Sequence, residues 1–272
     1  MMKPLDLTQL SHLIIDMDGV LYKGTEPIPG AREFLLFSRR IGIPFLLLTN
    51  NSSMTAGQYQ IKLADMGMQV AEEEILPSAA ATAMYLSRIA APGTPVYVIG
   101  EDGIRIELEN HGFDLRNDSS VDYVVVGWDR QLTWEKLRIA TQAIRAGARF
   151  IGTNPDKTYP SEAGIVPGAG AIHAALEAST EVAPEIVGKP QAAIFQLGLE
   201  RLGAEAATTA SVGDRLETDI VGGQRAGMPT ILMLSGVTSR EQLAISPTVP
   251  DLVFQDLAGL QEAWEAVREH GH

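Results

Sequence analysis

Leu13-Ile14-Ile15-Asp16-Met17-Asp18-Gly19-Val20 is a short aliphatic run that stops at two carboxylates and a glycine. Such a run before a turn-former reads as a buried strand that delivers polar side chains at its C-terminal end. Taken alone, the two aspartates fit an Asx turn with a capping carboxylate. Working outward, the same pattern recurs twice. Ile43 to Thr49 runs into Thr49-Asn50-Asn51-Ser52, and Thr209-Ala210-Ser211-Val212 runs into Gly213-Asp214-Arg215-Leu216-Glu217-Thr218-Asp219. In a parallel sheet all such strand ends open on one edge, so these carboxylates gather there and demand a cation.

The segments between these strands have helical periodicity. A helix is expected over Ala31 to Ile41, stopping at Gly42, another over Thr55 to Met66, stopping at Gly67, and a third near Ser78 to Ile89. Ala91-Pro92-Gly93 breaks the pattern, which restarts with strands Val96 to Ile99, Tyr123 to Val126 and Arg149 to Gly152 and a helix Thr133 to Ala146. Lys189-Pro190 is expected to open a helix through Leu202. Alternating strands and helices predict an α/β fold with a largely parallel sheet. Its expected division is a first domain of residues 1–80 and 185–272 with an α/β domain, residues 81–184, inserted into it.

The 272 residues are 45% hydrophobic and 20% charged, ordinary for a folded globular chain. No apolar run reaches the roughly 18 residues of a membrane span, and no signal-peptide core opens the chain, so a cytoplasmic setting without membrane association is the expectation. A formal net charge of −13 opposes binding to nucleic acid and to anionic lipid. It also repels a phosphorylated ligand, so any phosphate site must rely on local cations and backbone N–H groups.

With no cysteine, a metal site must be built from oxygen or imidazole ligands. Clustered carboxylates without paired histidines favour a hard ion, and magnesium held by carboxylates, water and phosphate fits best. Thr49, Asn50 and Lys189 add a hydroxyl, an amide and a cation. Each has an ordinary explanation as a turn, a cap or a surface lysine. Together they complete a phosphoryl site.

In order, DMDGVLYKG, LLLTNN, GKP and SVGDRLETD resemble the four-motif signature of the haloacid dehalogenase-like (HAD) hydrolases. The flanks YKG, PGAREFL and PGAG and the insertion of about a hundred residues look like subfamily IIA, the NagD-like or 4-nitrophenylphosphatase-like branch. The resemblance implies a doubly wound core with an α/β cap, and a magnesium-dependent phosphatase acting through an aspartyl-phosphate. It makes Asp16 the nucleophile and a magnesium ligand, and Asp18 the general acid and base that also offers its backbone carbonyl to the metal. Thr49, Asn50 and Lys189 match the groups that bind the transferring phosphoryl oxygens, Asp214 a magnesium ligand and Asp219 an outer carboxylate. A small phosphorylated metabolite is the expected partner, and a homodimer the family-level expectation.

Rival readings are a phosphotransferase or phosphomutase with the same intermediate and a non-catalytic phosphate sensor. The Asp-x-Asp pair and the insertion argue against the sensor, which needs neither. Pro167-Gly168-Ala169-Gly170 mimics a dinucleotide-binding turn, but His173 stands at the third glycine position and no strand is expected directly before it. His12, His111 and His173 lack ligand spacing and are read as structural, with an approach of His173 to the substrate as the alternative if its helix lines the cleft. For substrate selection the best candidates are Asn154 and Asp156 in the loop Gly152-Thr153-Asn154-Pro155-Asp156, with a surface turn as the alternative.

Overall fold

The structure, a computed structural model, describes residues 5–161 and 164–270. It separates into two packed units. The first comprises the chain up to Thr49, Gln60–Ile75 and everything from Lys189 onward; the second comprises Asn50–Tyr59 and Leu76–Gly188. The inserted unit therefore runs wider than the expected 81–184. The helix Ser78–Ser87 packs on Asp102–Asn110 within it, which carries the boundary outward.

The first unit is built on a six-stranded sheet ordered Leu252–Phe254, Thr230–Met233, Thr209–Gly213, His12–Asp16, Phe45–Thr49 and Ile75–Pro77. The pairs from Leu252–Phe254 across to Phe45–Thr49 are all parallel. Its centre is sequestered, because Leu13, Ile14, Ile15, Leu46, Leu47 and Leu48 are each no more than 1% exposed. At about 1.5–3 kcal/mol per buried side chain, these residues make the strand ends a rigid platform. Ala31–Arg40 shows why a local pattern becomes a helix here. It buries Phe34, Leu35 and Phe37 on one face and places Arg39 and Arg40 in the last turn, where the helix dipole favours cations. Phe37 meets the edge of Trp264 on Leu257–His270, with ring centroids 6.5 Å apart.

The second unit holds a five-stranded parallel sheet ordered Glu185–Ile186, Arg149–Gly152, Tyr123–Val126, Pro95–Ile99 and Asp114–Arg116. Tyr97, Ile99, Val124, Val126 and Phe150 pack against Ala140 and Ile144 of Trp134–Arg145 and Ile172 and Leu176 of Ala169–Thr180. An antiparallel hairpin, Thr158–Ser161 with Gly164–Pro167, leads into that last helix. A strand thus does precede Pro167-Gly168-Ala169-Gly170, contrary to the sequence expectation. Being half of a hairpin and not a parallel crossover strand, it still offers no dinucleotide-binding unit.

Two short elements depart from expectation near the strand ends. The helix after Lys189-Pro190 begins only at Ala192, so Lys189 lies in the connection ahead of it. Leu216–Ile220 forms a five-residue π-helix, a rare turn often found at functional sites. No helix among the described residues is long and apolar enough to cross a membrane.

Candidate active site

Asp16 ends the central strand His12–Asp16, and Asp214 follows the neighbouring strand Thr209–Gly213, so the parallel register brings both to one edge. The π-helix then turns Asp219 back toward them: Ser211 Oγ donates to the Asp219 backbone oxygen at 3.0 Å, and Arg215 N donates to Asp219 Oδ2 at 3.0 Å. Carboxylate oxygens of Asp16, Asp214 and Asp219 lie within 4.8 Å of one another, all three residues buried. Lys189 enters this cluster from its connection. Its Nζ lies 2.6 Å from both Asp16 Oδ1 and Asp219 Oδ1 and also donates to Leu48 O at 3.5 Å.

Burial opposes the charge on Lys189, but Asp16 and Asp219 together outweigh it and hold the ammonium above the usual lysine range. Burial likewise pushes Asp16 well above the usual carboxylate range; Lys189 opposes that rise, while Asp219 and Asp214 add to it. Asp214 is pushed up to about 6, first by burial and next by Asp219, with the Val237 N–H pulling back. One buried ammonium cannot neutralise three adjacent carboxylates.

The acceptor inventory shows where a second cation fits. Asp214 Oδ2 accepts from Val237 N at 2.6 Å, but Asp214 Oδ1 is buried with no hydrogen-bond partner among the described residues. Both Asp219 oxygens are taken, by Lys189 and Arg215 N. An orphaned carboxylate oxygen among oxygen-only donors suits a hard divalent ion, with Asp16 and Asp214 able to hold it directly. Gly19 and Gly236 make room for the Asp214 carboxylate, which a Cβ at either position would overlap. Gly19 also has φ +84°, a left-handed conformation that glycine adopts at little cost.

Asp18 sits in the turn beyond Asp16, half-buried, with Oδ2 accepting from the Tyr22 hydroxyl at 3.4 Å. Burial raises its pKa, against the opposing charges of Lys62, Lys189 and Arg215. Thr49 is buried at the end of Phe45–Thr49, the strand beside Asp16. Asn50, the next residue, belongs to the second unit. There its amide donates to Asp156 Oδ2 at 3.2 Å, and its carbonyl accepts from Ser78 Oγ at 2.5 Å and Asn154 Nδ2 at 2.7 Å. Asn154 Oδ1 in turn accepts from Asp156 N at 3.1 Å. The structure therefore gathers the expected residues into two groups, Asp16, Asp18, Thr49, Lys189, Asp214 and Asp219 in one unit and Asn50, Asn154 and Asp156 in the other. His173 is buried, with Nε2 3.1 Å from Val126 O, and burial lowers its pKa, which fits the structural reading.

A haloacid dehalogenase-like hydrolase family model matches residues 13–114, and a second HAD-hydrolase-like model matches residues 186–260. An acid sugar phosphatase of Staphylococcus aureus is 43% identical over 251 residues, covering 92% of this chain and 96% of that protein. The chain belongs to the haloacid dehalogenase-like hydrolases. Its place is the NagD-like branch: NagD from E. coli K-12 superposes with a TM-score of 0.85 at 36% identity, covering 92% of this chain and 97% of that one. A glycerol phosphate phosphatase of Mycobacterium tuberculosis, solved in complex with magnesium, superposes at 0.87 with 32% identity, covering 96% of this chain and 78% of that one. With phosphatases as its relatives across nearly its whole length, the chain is a phosphoric monoester hydrolase.

Sequence reasoning missed Tyr22, Lys62, Arg215 and the Val237 amide. Arg215 had a signal in its place inside the acidic motif, and Tyr22 in its place inside DMDGVLYKG. Lys62 meets the site from the helix Ala56–Asp65 and the Val237 amide from a connection, and no motif singles out either.

Proposed function

We propose that this HAD hydrolase is a magnesium-dependent phosphatase of small phosphate monoesters, working through an aspartyl-phosphate on Asp16. The observation that carries the reading is the Lys189 ammonium, 2.6 Å from both Asp16 and Asp219, beside an Asp214 oxygen with no partner. That arrangement combines a nucleophile, a cation for phosphoryl oxygens and a place for a divalent ion. Magnesium held by Asp16, Asp214 and the Asp18 backbone carbonyl supplies the positive charge that lets a carboxylate approach a phosphate.

Asp16 attacks phosphorus while Lys189, the Thr49 hydroxyl and the Asn50 amide bind the oxygens of the transferring group. Asp18 gives its proton to the leaving oxygen as the P–O bond breaks, then takes one from the water that hydrolyses the aspartyl-phosphate. Asp219 orients Lys189 from outside the metal shell, since its oxygens are already committed. Substrate choice falls to the second unit. Asp156, half-buried and bonded to the Asn50 amide, is the stronger candidate there, because the Asn154 side chain is used in holding the loop. A small phosphorylated metabolite as partner, no nucleic acid or membrane partner, a cytoplasmic setting and a homodimer complete the reading.

The test is release of inorganic phosphate from a panel of monoesters with magnesium and with chelator, joined to beryllium fluoride trapping. Magnesium-dependent release with the adduct on Asp16 is expected. An adduct on another residue sinks the assignment of the nucleophile. Transfer of phosphate to a second hydroxyl without release would make the chain a transferase.

A further inference from the structure

The turn after Asp16 closes on itself through Tyr22. Asp18 and Tyr22 form an isolated β-bridge, Gly19 N donates to Tyr22 O at 2.8 Å, and Leu21 N donates to Met17 O at 2.8 Å. The Tyr22 side chain is fully buried. Its hydroxyl donates to Asp18 Oδ2 at 3.4 Å, while Asp18 Oδ1 accepts no hydrogen bond from the described residues. The two oxygens of this carboxyl are therefore unequal. One faces a fixed donor and the other is left for chemistry.

Across the Tyr22 ring lies Lys62, from the last turn of Ala56–Asp65, with Nζ 3.9 Å from the ring centroid. A lysine on an amphipathic helix ordinarily extends its ammonium into water. Lys62 is instead half-buried on an aromatic face, where cation and ring attract. Burial lowers its pKa and the charge of Asp18 raises it, so the two groups act on each other.

We propose that Tyr22 and Lys62 are positioning residues for Asp18: the Tyr22 hydroxyl holds Oδ2 and leaves Oδ1 for the leaving oxygen, and Lys62 pins the Tyr22 ring from its face. The inference rests on the reading of Asp18 as proton carrier. In the first half-reaction a bond forms between Asp16 and phosphorus, the P–O bond to the leaving group breaks, and the Asp18 proton moves to the leaving oxygen. In the second half-reaction the water oxygen bonds to phosphorus, its proton returns to Asp18, and the bond to Asp16 breaks.

The experiment compares kcat/KM for 4-nitrophenyl phosphate, whose leaving group needs little protonation, with that for phenyl phosphate, in the magnesium-loaded enzyme. Asp18→Asn tests the underlying reading and should lose far more on phenyl phosphate. Tyr22→Phe and Lys62→Met should each lose about tenfold on phenyl phosphate and at most about twofold on 4-nitrophenyl phosphate, part of the roughly 10²- to 10⁴-fold an acid contributes. Lys62→Arg should restore most of that loss. In an Asp18→Asn background neither change should add selectivity, because the group they position is gone. If Asp18→Asn is selective but Tyr22→Phe and Lys62→Met lose equally on both esters, the two residues are structural and the inference falls alone. If Asp18→Asn is itself unselective, the reading of Asp18 falls, and the inference with it. Lys62 is half-exposed, so Lys62→Met keeps the test decisive even where Tyr22→Phe unfolds the turn.

Discussion

Two strands, one in each unit, end in the same dipeptide. Phe45–Thr49 runs into Thr49-Asn50, and Arg149–Gly152 runs into Thr153-Asn154. Asn50 and Asn154 share one network in the second unit, and the contrast lies between that network and the carboxylate edge of the first unit. Around Thr153-Asn154 hydrogen bonds close on themselves: Thr153 Oγ1 donates to Ser52 Oγ, Asn154 Nδ2 to Asn50 O, and Asn50 Nδ2 to Asp156. At the edge shared by Asp16 and Asp214 three carboxylates crowd one ammonium, and one oxygen has no partner among the described residues. Polar groups at strand ends are common to both. What marks a reaction centre is the uncompensated remainder.

The severest test of that contrast is Asp16→Asn. Phosphate release should fall to background, because a neutral amide cannot attack phosphorus, while folding survives, since Lys189 keeps Asp219. Phosphate release and circular dichroism on one preparation check both halves. Retained turnover would return the carboxylate edge to the same standing as the Asn154 loop.

Lys189→Met comes next. It should abolish turnover and, without metal, destabilise the first unit by about 3–5 kcal/mol by removing the cation among buried carboxylates. The denaturant midpoint measures it, and a change below about 1 kcal/mol would show that these carboxylates are solvated or protonated instead.

pH sharpens the comparison further. Asp214 takes up a proton at about 6 in the folded protein against 3.8 in the unfolded chain, so folding binds protons between those values. The stability that Asp214 contributes without metal is then fully present below the lower value and is lost as pH rises through the higher one. Melting in chelator should therefore occur at a lower temperature at pH 7.5 than at pH 5, and the gain from magnesium should be larger at pH 7.5. A magnesium gain that does not grow with pH would argue against Asp214 as a ligand.

The smallest effects belong to the second unit. Asn154→Ala should cost about 1–3 kcal/mol, since Asn50 O keeps its bond from Ser78, and should lower kcat/KM in proportion for every ester. Asp156→Ala should cost less and change the ranking of esters. Proportional losses in both would move specificity elsewhere.

How much of this was legible in the sequence depends on whether a group is placed by a strand end or by a turn. Asp16, Thr49 and Asp214 could be located because parallel strands carry their ends to one edge, whatever lies between. Lys189 was expected in a helix and lies before it, yet still reaches the site. The partners of Asp18 were hidden. Tyr22 is legible only within the flank YKG and Lys62 only as one residue of an expected helix, and the fold alone brings them together. Asn154 and Asp156 carried the same polar signal as Asn50, but no spacing rule says which amide will be spent on the backbone.

The Val237 amide, 2.6 Å from Asp214 Oδ2, is bound to the same carboxylate whose other oxygen has no hydrogen-bond partner among the described residues. Charge drawn toward one oxygen of a carboxylate is withdrawn from the other. The amide is thus a spectroscopic gauge set outside the reacting groups: its proton resonance should lie far downfield in the ion-free protein, move upfield as magnesium is titrated, and so report occupancy without any substrate being turned over.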